Sequence, residues 1–198
     1  MRRLIVVLVL LAVASPATAA QAGQAAESIQ MLDNRYRPAV ATVGQGQSVA
    51  FTNFGQVVHD ARDDTGLDLF DTENVAPPET ATIDPLPGAG RFAYVCTFHP
   101  EMTGRLDVPV VLSRATAAAG SLVTVRWATT RAPDGLRFDV QRRRPGTTRF
   151  EPWRTGASAA AARWRPSVRG TWTIRARVRS PEAGAASAWS PPATLRVA

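Results

Sequence analysis

The sequence is poor in the residue types that usually carry protein chemistry. Its 198 residues include one cysteine, Cys96, two histidines, His59 and His99, and no lysine, so all 23 basic residues are arginine. A single cysteine excludes an intrachain disulfide. A free thiol in an oxidising compartment is a liability unless it is buried or bound to another group. The lone cysteine is therefore the first residue that needs an explanation.

Long apolar runs are also scarce, and the one that exists lies at the amino terminus. Arg2 and Arg3 precede an apolar run of ten residues, 4–13, and small residues follow as far as Ala20. This pattern is typical of a secretory signal peptide, which we assign to residues 1–20. The run is too short to cross a bilayer. We expect a secreted or periplasmic protein with no transmembrane segment in the mature chain; the alternative is an uncleaved membrane anchor.

Charge changes sign along the chain. Residues 27–110 contain twelve acidic residues and five arginines, whereas residues 111–198 contain four acidic residues and sixteen arginines. This change predicts two domains, over residues 27–109 and 110–198. Because no Gly/Ser-rich or Pro-rich tether separates them, we expect the two domains to abut.

The distribution of apolar residues predicts an all-β protein built of two β-sandwich domains. The 14 glycines and 15 prolines are spread along the chain, and no long segment has helical periodicity. Ile29 and Met31 alternate with polar neighbours, and a longer alternation covers residues 171–179. An antiparallel sheet with one buried face requires this period of two residues. Residues 60–87 lack it, and we predict loops there with one short strand.

The segment 96–102 carries the strongest chemical signal. It brings a thiol, an imidazole and a thioether, from Cys96, His99 and Met102, into one short loop after a predicted strand. A thiolate, two imidazoles and a weak axial thioether are the ligands of an electron-transfer copper site, and His59 is the other imidazole in the chain. The alternatives are a small buried thiol, a core methionine and a solvated histidine.

Three segments together resemble a cupredoxin of the plastocyanin and amicyanin type. They are the strand residues 49–53 followed by His59, the strand 90–95 that leads into Cys96, and the ligand loop 96–104. The resemblance implies a Greek-key β-sandwich that binds one type 1 (blue) copper ion. It also implies the ligands: His59, Cys96 and His99 in the equatorial plane and Met102 on the axis. Val58 and Asp60 depart from the family pattern, which often has Pro before and Asn after the first histidine.

The same resemblance assigns roles to neighbouring residues. Asn53, Asp60 and Thr97 are candidates to tie the two ligand-bearing segments together, and ordinary turn polarity is the alternative for them. An apolar surface around the exposed edge of His99 is the family's electron port, and its alternative is a set of unrelated surface hydrophobes. The predicted port residues are Val57, Val58, Phe98 and Pro100.

The second half resembles a fibronectin type III domain, which implies no chemistry of its own. The resemblance rests on the strands at 123–127 and 170–178 and on the segment 187–191, with Trp172 where the family usually has tyrosine. A basic face of this domain would bind an acidic envelope polymer or a membrane surface, and a merely solvated strand face is the alternative. Nucleic acid is not expected for an exported protein. The arginines in question are Arg142, Arg143, Arg144, Arg163, Arg165, Arg175, Arg177 and Arg179.

Three functions follow from this reading. The first is a single-electron carrier that exchanges electrons with a redox partner protein. The second is a copper-sequestering or copper-delivery protein, and the third is an envelope adhesion module with a vestigial copper site. Enzyme activity is not expected, because a further, substrate-binding copper needs additional histidines and both are already used.

Overall fold

The computed structural model describes residues 27–198 and confirms the all-β prediction: seventeen strands and no helix occur in this range. No segment of residues 27–198 forms a helix that could cross a membrane. The predicted signal peptide, residues 1–20, lies outside the described residues.

Two four-stranded sheets form the first half of the chain. One has the strand order β2-β1-β4-β6 and the other has the order β3-β8-β7-β5. The strands are β1 (Glu27–Leu32), β2 (Arg35–Arg37), β3 (Val40–Thr42), β4 (Val49–Asn53), β5 (Arg62–Asp63), β6 (Thr80–Ile83), β7 (Gly90–Val95) and β8 (Thr103–Val108).

The alternating residues of this half face each other across the two sheets. Ile29 and Phe51 are fully buried on β1 and β4, which pair in parallel, and Phe92 and Tyr94 are buried on β7. Tyr94 packs edge-on against Phe51, with their ring centroids 5.4 Å apart. Apolar residues at every second position thus supply the core between the sheets.

The second half is also formed by two sheets. The order of the larger is β10-β17-β15-β12-β13, with β16 beside β15, and the order of the smaller is β14-β11-β9. The strands are β9 (Val111–Leu112), β10 (Thr116–Ala117), β11 (Val123–Arg126), β12 (Arg137–Arg143), β13 (Glu151–Ala157), β14 (Ala161–Trp164), β15 (Gly170–Ser180), β16 (Ala185–Ala186) and β17 (Ala193–Val197).

Two expectations from the sequence differ from the structure. Residues 60–87 contain two strands, β5 and β6, rather than one. The predicted basic face is divided between the two sides of the large sheet. Arg142 stacks near Trp172 on the inward side, whereas Arg175 and Arg177 stack on Trp189 on the outward side. Adjacent strand residues point to opposite faces, so a run of arginines cannot form one surface.

The two halves are in direct contact, as predicted. The Ala89 N–H donates to the Trp127 carbonyl at 2.6 Å, and Arg91 and Ala188 exchange both backbone hydrogen bonds. The Gln45 side chain donates to the carbonyls of Pro109 and Arg126. One cluster of buried apolar side chains extends through both halves. The second half therefore packs against the amino-terminal end of β7.

Candidate metal centre

Three potential metal ligands from distant parts of the chain meet at the opposite end of β7. The Cys96 sulfur lies 3.7 Å from His59 Nδ1 and 3.5 Å from His99 Nδ1. One donor atom from each of the three residues lies within 4.8 Å of the others. Cys96 and His59 are fully buried, and His99 is half-buried.

The segment 96–102 is folded by its own backbone. The His99 N–H donates to the Cys96 carbonyl, the Met102 N–H donates to the His99 carbonyl, and the Cys96 N–H donates to the Met102 carbonyl. These bonds bring both ends of the loop together where β7 ends and β8 begins. Met102 is fully buried, and it lines a recess of about 420 Å³ beside His99. The loop thus holds the fourth predicted ligand next to the third.

His59 is held in position by the opposite sheet. Its backbone forms a two-way bridge with Val75, and the Asn53 amide donates to the carbonyls of Val57 and Val75 at 2.8 Å each. The Asn53 side-chain oxygen also accepts the Gly55 N–H. Asn53 therefore orders the segment before His59, but none of these side-chain hydrogen bonds reaches the loop that carries Cys96.

Asp60 and Thr97 connect the two ligand-bearing segments. The carboxylate of Asp60 accepts the Thr97 N–H at 2.7 Å and the Thr97 hydroxyl at 2.5 Å. Asp60 is 4% exposed, and its carbonyl accepts a hydrogen bond from the Tyr36 hydroxyl. The cupredoxin resemblance implies asparagine at position 60, and here Asp60 makes the connection with a carboxylate instead. A buried acidic group therefore lies beside the predicted metal site.

The donor atoms fit a first-row transition metal ion. Bonds of about 2.3 Å to sulfur and about 2.0 Å to nitrogen, at an angle near 120°, separate the two donor atoms by about 3.7 Å. The observed separations of 3.5 and 3.7 Å agree with this value. Burial raises the pKa of the Cys96 thiol, so the uncharged form is favoured until a cation replaces the proton. A thiolate with two imidazoles suits copper.

Comparison with known protein families follows the same division of the chain. A family model described as a cupredoxin-like domain matches residues 3–108, which is more than half of the 198 residues. The chain belongs to the cupredoxin-like domain family. Within the described residues, the match covers both four-stranded sheets and all the predicted ligands of the cupredoxin half. It ends where the second half begins.

Solved structures similar to this chain include three that each cover less than half of it. A purple cupredoxin from Nitrosopumilus maritimus has 21% identity and a TM-score of 0.38, and the match covers 41% of this chain and 98% of that protein. A reduced amicyanin variant has 20% identity and a TM-score of 0.39, covering 46% of this chain and 86% of amicyanin. A copper-containing nitrite reductase from Thermus scotoductus has 27% identity and a TM-score of 0.38, covering 48% of this chain. The match spans only about a quarter of that reductase, 24% of its length. No curated protein matches the chain significantly.

The structure adds Asp33, which the sequence did not indicate, to the cupredoxin site. Asp33 Oδ1 lies 3.6 Å from Nε2 of His59, beyond hydrogen-bond range, and that buried nitrogen has no hydrogen-bond partner. Hydrogen bonding from the Gln56 N–H is the main cause that lowers the pKa of Asp33. The position of Asp33 depends on the pairing of β1 with β4, so no local sequence signal identifies it.

The surface beside His99 is apolar and exposed. Phe98 is 50% exposed, Val57 and Val58 are exposed on the facing loop, and Pro100 is exposed next to His99. Phe54, which the sequence analysis did not single out, is 56% exposed on the same loop as Val57. The predicted port residues thus all reach the surface, and Phe54 adds an exposed apolar side chain to the loop that carries Val57.

Proposed function

We propose that this chain is an exported single-electron carrier that binds one type 1 copper ion through His59, Cys96, His99 and Met102. The observation that carries the proposal is the convergence of one sulfur and two Nδ1 atoms at separations of 3.5 and 3.7 Å. The donor set of the family supports copper over other metals, since a thioether is a poor zinc ligand.

The protein's contribution to electron transfer is a rigid set of ligands. When bound, copper supplies the one-electron change between Cu(II) and Cu(I). Asp60 holds Thr97, next to Cys96, through two hydrogen bonds, and Asn53 orders the loop before His59. Ligands held from both sides move little between oxidation states, which favours fast exchange.

Exchange would take place with a redox partner protein at the apolar surface beside His99. Of the three residues that converge, His99 is the one that is partly exposed, and Phe98 beside it is 50% exposed. An apolar patch of this kind suits a transient protein contact. The patch favours a carrier over a copper-sequestering protein, which needs no exchange surface, whereas a copper-delivery protein would also need a surface on which to dock its recipient.

The second half, residues 110–198, would act as a fibronectin type III-like domain that positions the copper domain, residues 27–109. It contacts the start of β7, and a six-residue strand separates that point from Cys96 by about 20 Å. The exchange surface therefore stays free. We assign no enzyme activity, because both histidines serve the one site.

Stoichiometric addition of Cu(II) to the purified mature protein tests the proposal. We expect intense visible absorption from thiolate-to-copper charge transfer with one equivalent of copper, and its loss in Cys96→Ser. Met31→Leu, which changes another fully buried methionine, is the control that should keep the absorption. Cyclic voltammetry should then give fast, reversible one-electron exchange.

Other results would select the alternatives. Tight Cu(I) binding without reversible exchange would replace the carrier by a sequestering or delivery protein. Absence of copper uptake by the folded protein would leave an envelope adhesion module with a vestigial site.

A further inference from the structure

Arg142 occupies an unusual position on the inward face of a strand. It pairs with Ile174 in the register of β12 and β15, and Phe138, Val140 and Ile174 are all fully buried. Strand residues two apart share a face, so the Arg142 side chain continues the row of core residues at the end of the sandwich. A charged group on a core face is costly unless it has a partner.

Tryptophan rings surround this guanidinium. The Arg142 Cζ atom lies 4.8 Å from the ring centroids of both Trp153 and Trp164 and 5.7 Å from that of Trp172. Contacts of this kind compensate part of the cost of desolvation. Burial, together with repulsion from Arg154 and Arg144, nevertheless outweighs the attraction of Glu151, so the pKa of Arg142 is lowered. The rings hold the charge in position but do not neutralise it.

Within residues 27–198, no carboxylate forms an ion pair with Arg142, Arg144 or Arg165. Glu151 is opposite Arg142 in the register of β12 and β13, yet the two form no ion pair, and neither does Arg144 with any acid. Elsewhere on the same sheet Asp139 pairs with Arg177 and with another arginine, Arg179. Arg177 and Arg179 thus share one buried carboxylate, whereas the three arginines of the Arg142 cluster have a single carboxylate nearby, that of Glu151, and no ion pair.

These arginines, which form no ion pair, border a recess. Its volume is about 270 Å³, and its charged and aromatic walls are formed by Arg142, Arg144, Arg165, Trp164 and Trp172, with Glu151 as the one carboxylate among three guanidinium groups. Drug-sized ligands occupy pockets of about 300–1,000 Å³, so this recess suits a smaller group such as one sugar unit. Guanidinium groups bind carboxylates through paired hydrogen bonds, and indole rings offer an apolar wall to a sugar.

We propose that this recess binds a uronate unit of an acidic polysaccharide, with the arginines on its carboxylate and the indole rings beside the sugar. A bilayer surface is a poorer fit, because a flat array of headgroups does not enter a recess. The surplus of sixteen arginines over four acids in residues 111–198 attracts a polyanion from a distance. This second binding function is independent of the copper site.

Isothermal titration of the full mature protein with polygalacturonate at low ionic strength tests the site. The test variant is Arg144→Gln with Arg165→Gln, which leaves the stacked Arg142 in place. The control variant is Arg114→Gln with Arg196→Gln, which removes the same charge from exposed positions away from the recess. Unfolding midpoints and copper absorption are recorded for each protein.

The recess variant should lose about tenfold in affinity for each arginine, whereas the control pair should lose less than about threefold. Both variants should keep the copper absorption of the parent protein. Equal losses in the two variants would overturn the proposal in favour of diffuse charge attraction. Absence of binding to polygalacturonate, or equally tight binding to neutral dextran, polyphosphate or anionic vesicles, would also overturn it.

Discussion

Asp60 brings a buried carboxylate to the loop that carries Cys96, where it accepts two hydrogen bonds from Thr97. A negative charge near the metal stabilises Cu(II) relative to Cu(I). We predict that Asp60→Asn keeps an acceptor for Thr97 but raises the reduction potential, on the order of 60 mV, which corresponds to a tenfold change in the one-electron equilibrium. Voltammetry of the copper-loaded protein measures the shift.

The matched control for this change is Asp84→Asn, at an exposed acid beyond the end of β6. Its potential should stay within a few millivolts of the parent value, since salt screens exposed charges at a distance. A potential that falls or stays constant in Asp60→Asn would show that the carboxylate does not act on the metal through its charge.

Asp33 is the acidic residue beside the buried nitrogen of His59. If a metal occupies Nδ1 of His59, the proton must lie on Nε2, which is 3.6 Å from Asp33 Oδ1. We predict that Asp33→Ala weakens Cu(I) binding by about tenfold, because the negative charge of Asp33 beside the His59 ring favours a bound cation even without a hydrogen bond. Competition with a Cu(I) chelator gives the affinity, and an unchanged value would remove Asp33 from the site.

The sequence identifies the residues that converge at the candidate site better than it identifies the groups packed around them. Cys96 and His59 are rare residue types in this chain, so elimination leads to them directly. Asp33 is one of many acids in its half, and only the parallel pairing of β1 with β4 brings it near His59. The spacing of residues along the sequence does not reveal which distant strands pair with each other.

Among the elements, β12, β13 and β15 are joined by Asp139. Burial alone would raise the pKa of Asp139, but the Gly156 N–H and the guanidinium groups of Arg177 and Arg179 outweigh it, and the pKa is lowered. The unfolded carboxyl group therefore takes up a proton before the folded one as the pH falls. The stabilisation is complete above the unfolded pKa of about 3.9 and is lost as the pH falls through the folded pKa.

We predict that Asp139→Asn lowers the free energy of unfolding by about 1–2 kcal/mol at pH 7, since it removes hydrogen bonds between charged groups. The difference from the parent protein should shrink as the pH falls below about 4. Denaturant unfolding at pH 7 and below about pH 4 measures the difference in unfolding free energy, and Asp134→Asn, at an exposed acid, is the control. A difference that is constant with pH would contradict the role of the ionised carboxylate.

Strands in which apolar and polar residues alternate over many positions can be predicted from the sequence, whereas very short strands cannot. Trp172, Ile174 and Val178 are buried on β15 as their spacing predicts. β5 has only two residues, Arg62 and Asp63, and pairs with β7 at the edge of its sheet. Two polar residues carry no hydrophobic period, so their pairing follows from tertiary contacts alone.

At the scale of the whole molecule, the two halves share one apolar core and several hydrogen bonds. We predict that they unfold in one cooperative transition. All five tryptophans lie in the second half and the one cysteine lies in the first, so tryptophan fluorescence and copper absorption report on different halves. The two signals should give the same midpoint in denaturant.

Bound copper makes this comparison more sensitive. Copper stabilises the half that binds it. If the halves unfolded independently, their unfolding midpoints would therefore differ more in the copper-loaded protein. A fluorescence midpoint clearly below that of copper absorption would mean that the contacts at Ala89 and Arg91 do not couple the halves.

In the copper-loaded protein, we expect one copper ion to lie between Cys96, His59 and His99. A crystal structure of the copper-loaded protein, with anomalous differences measured at the copper absorption edge, tests it most directly. We predict one peak within bonding distance of the Cys96 sulfur and of Nδ1 of both histidines, with the Met102 sulfur on the axis. A peak elsewhere, or one bonded to Nε2 of His59, would contradict the account.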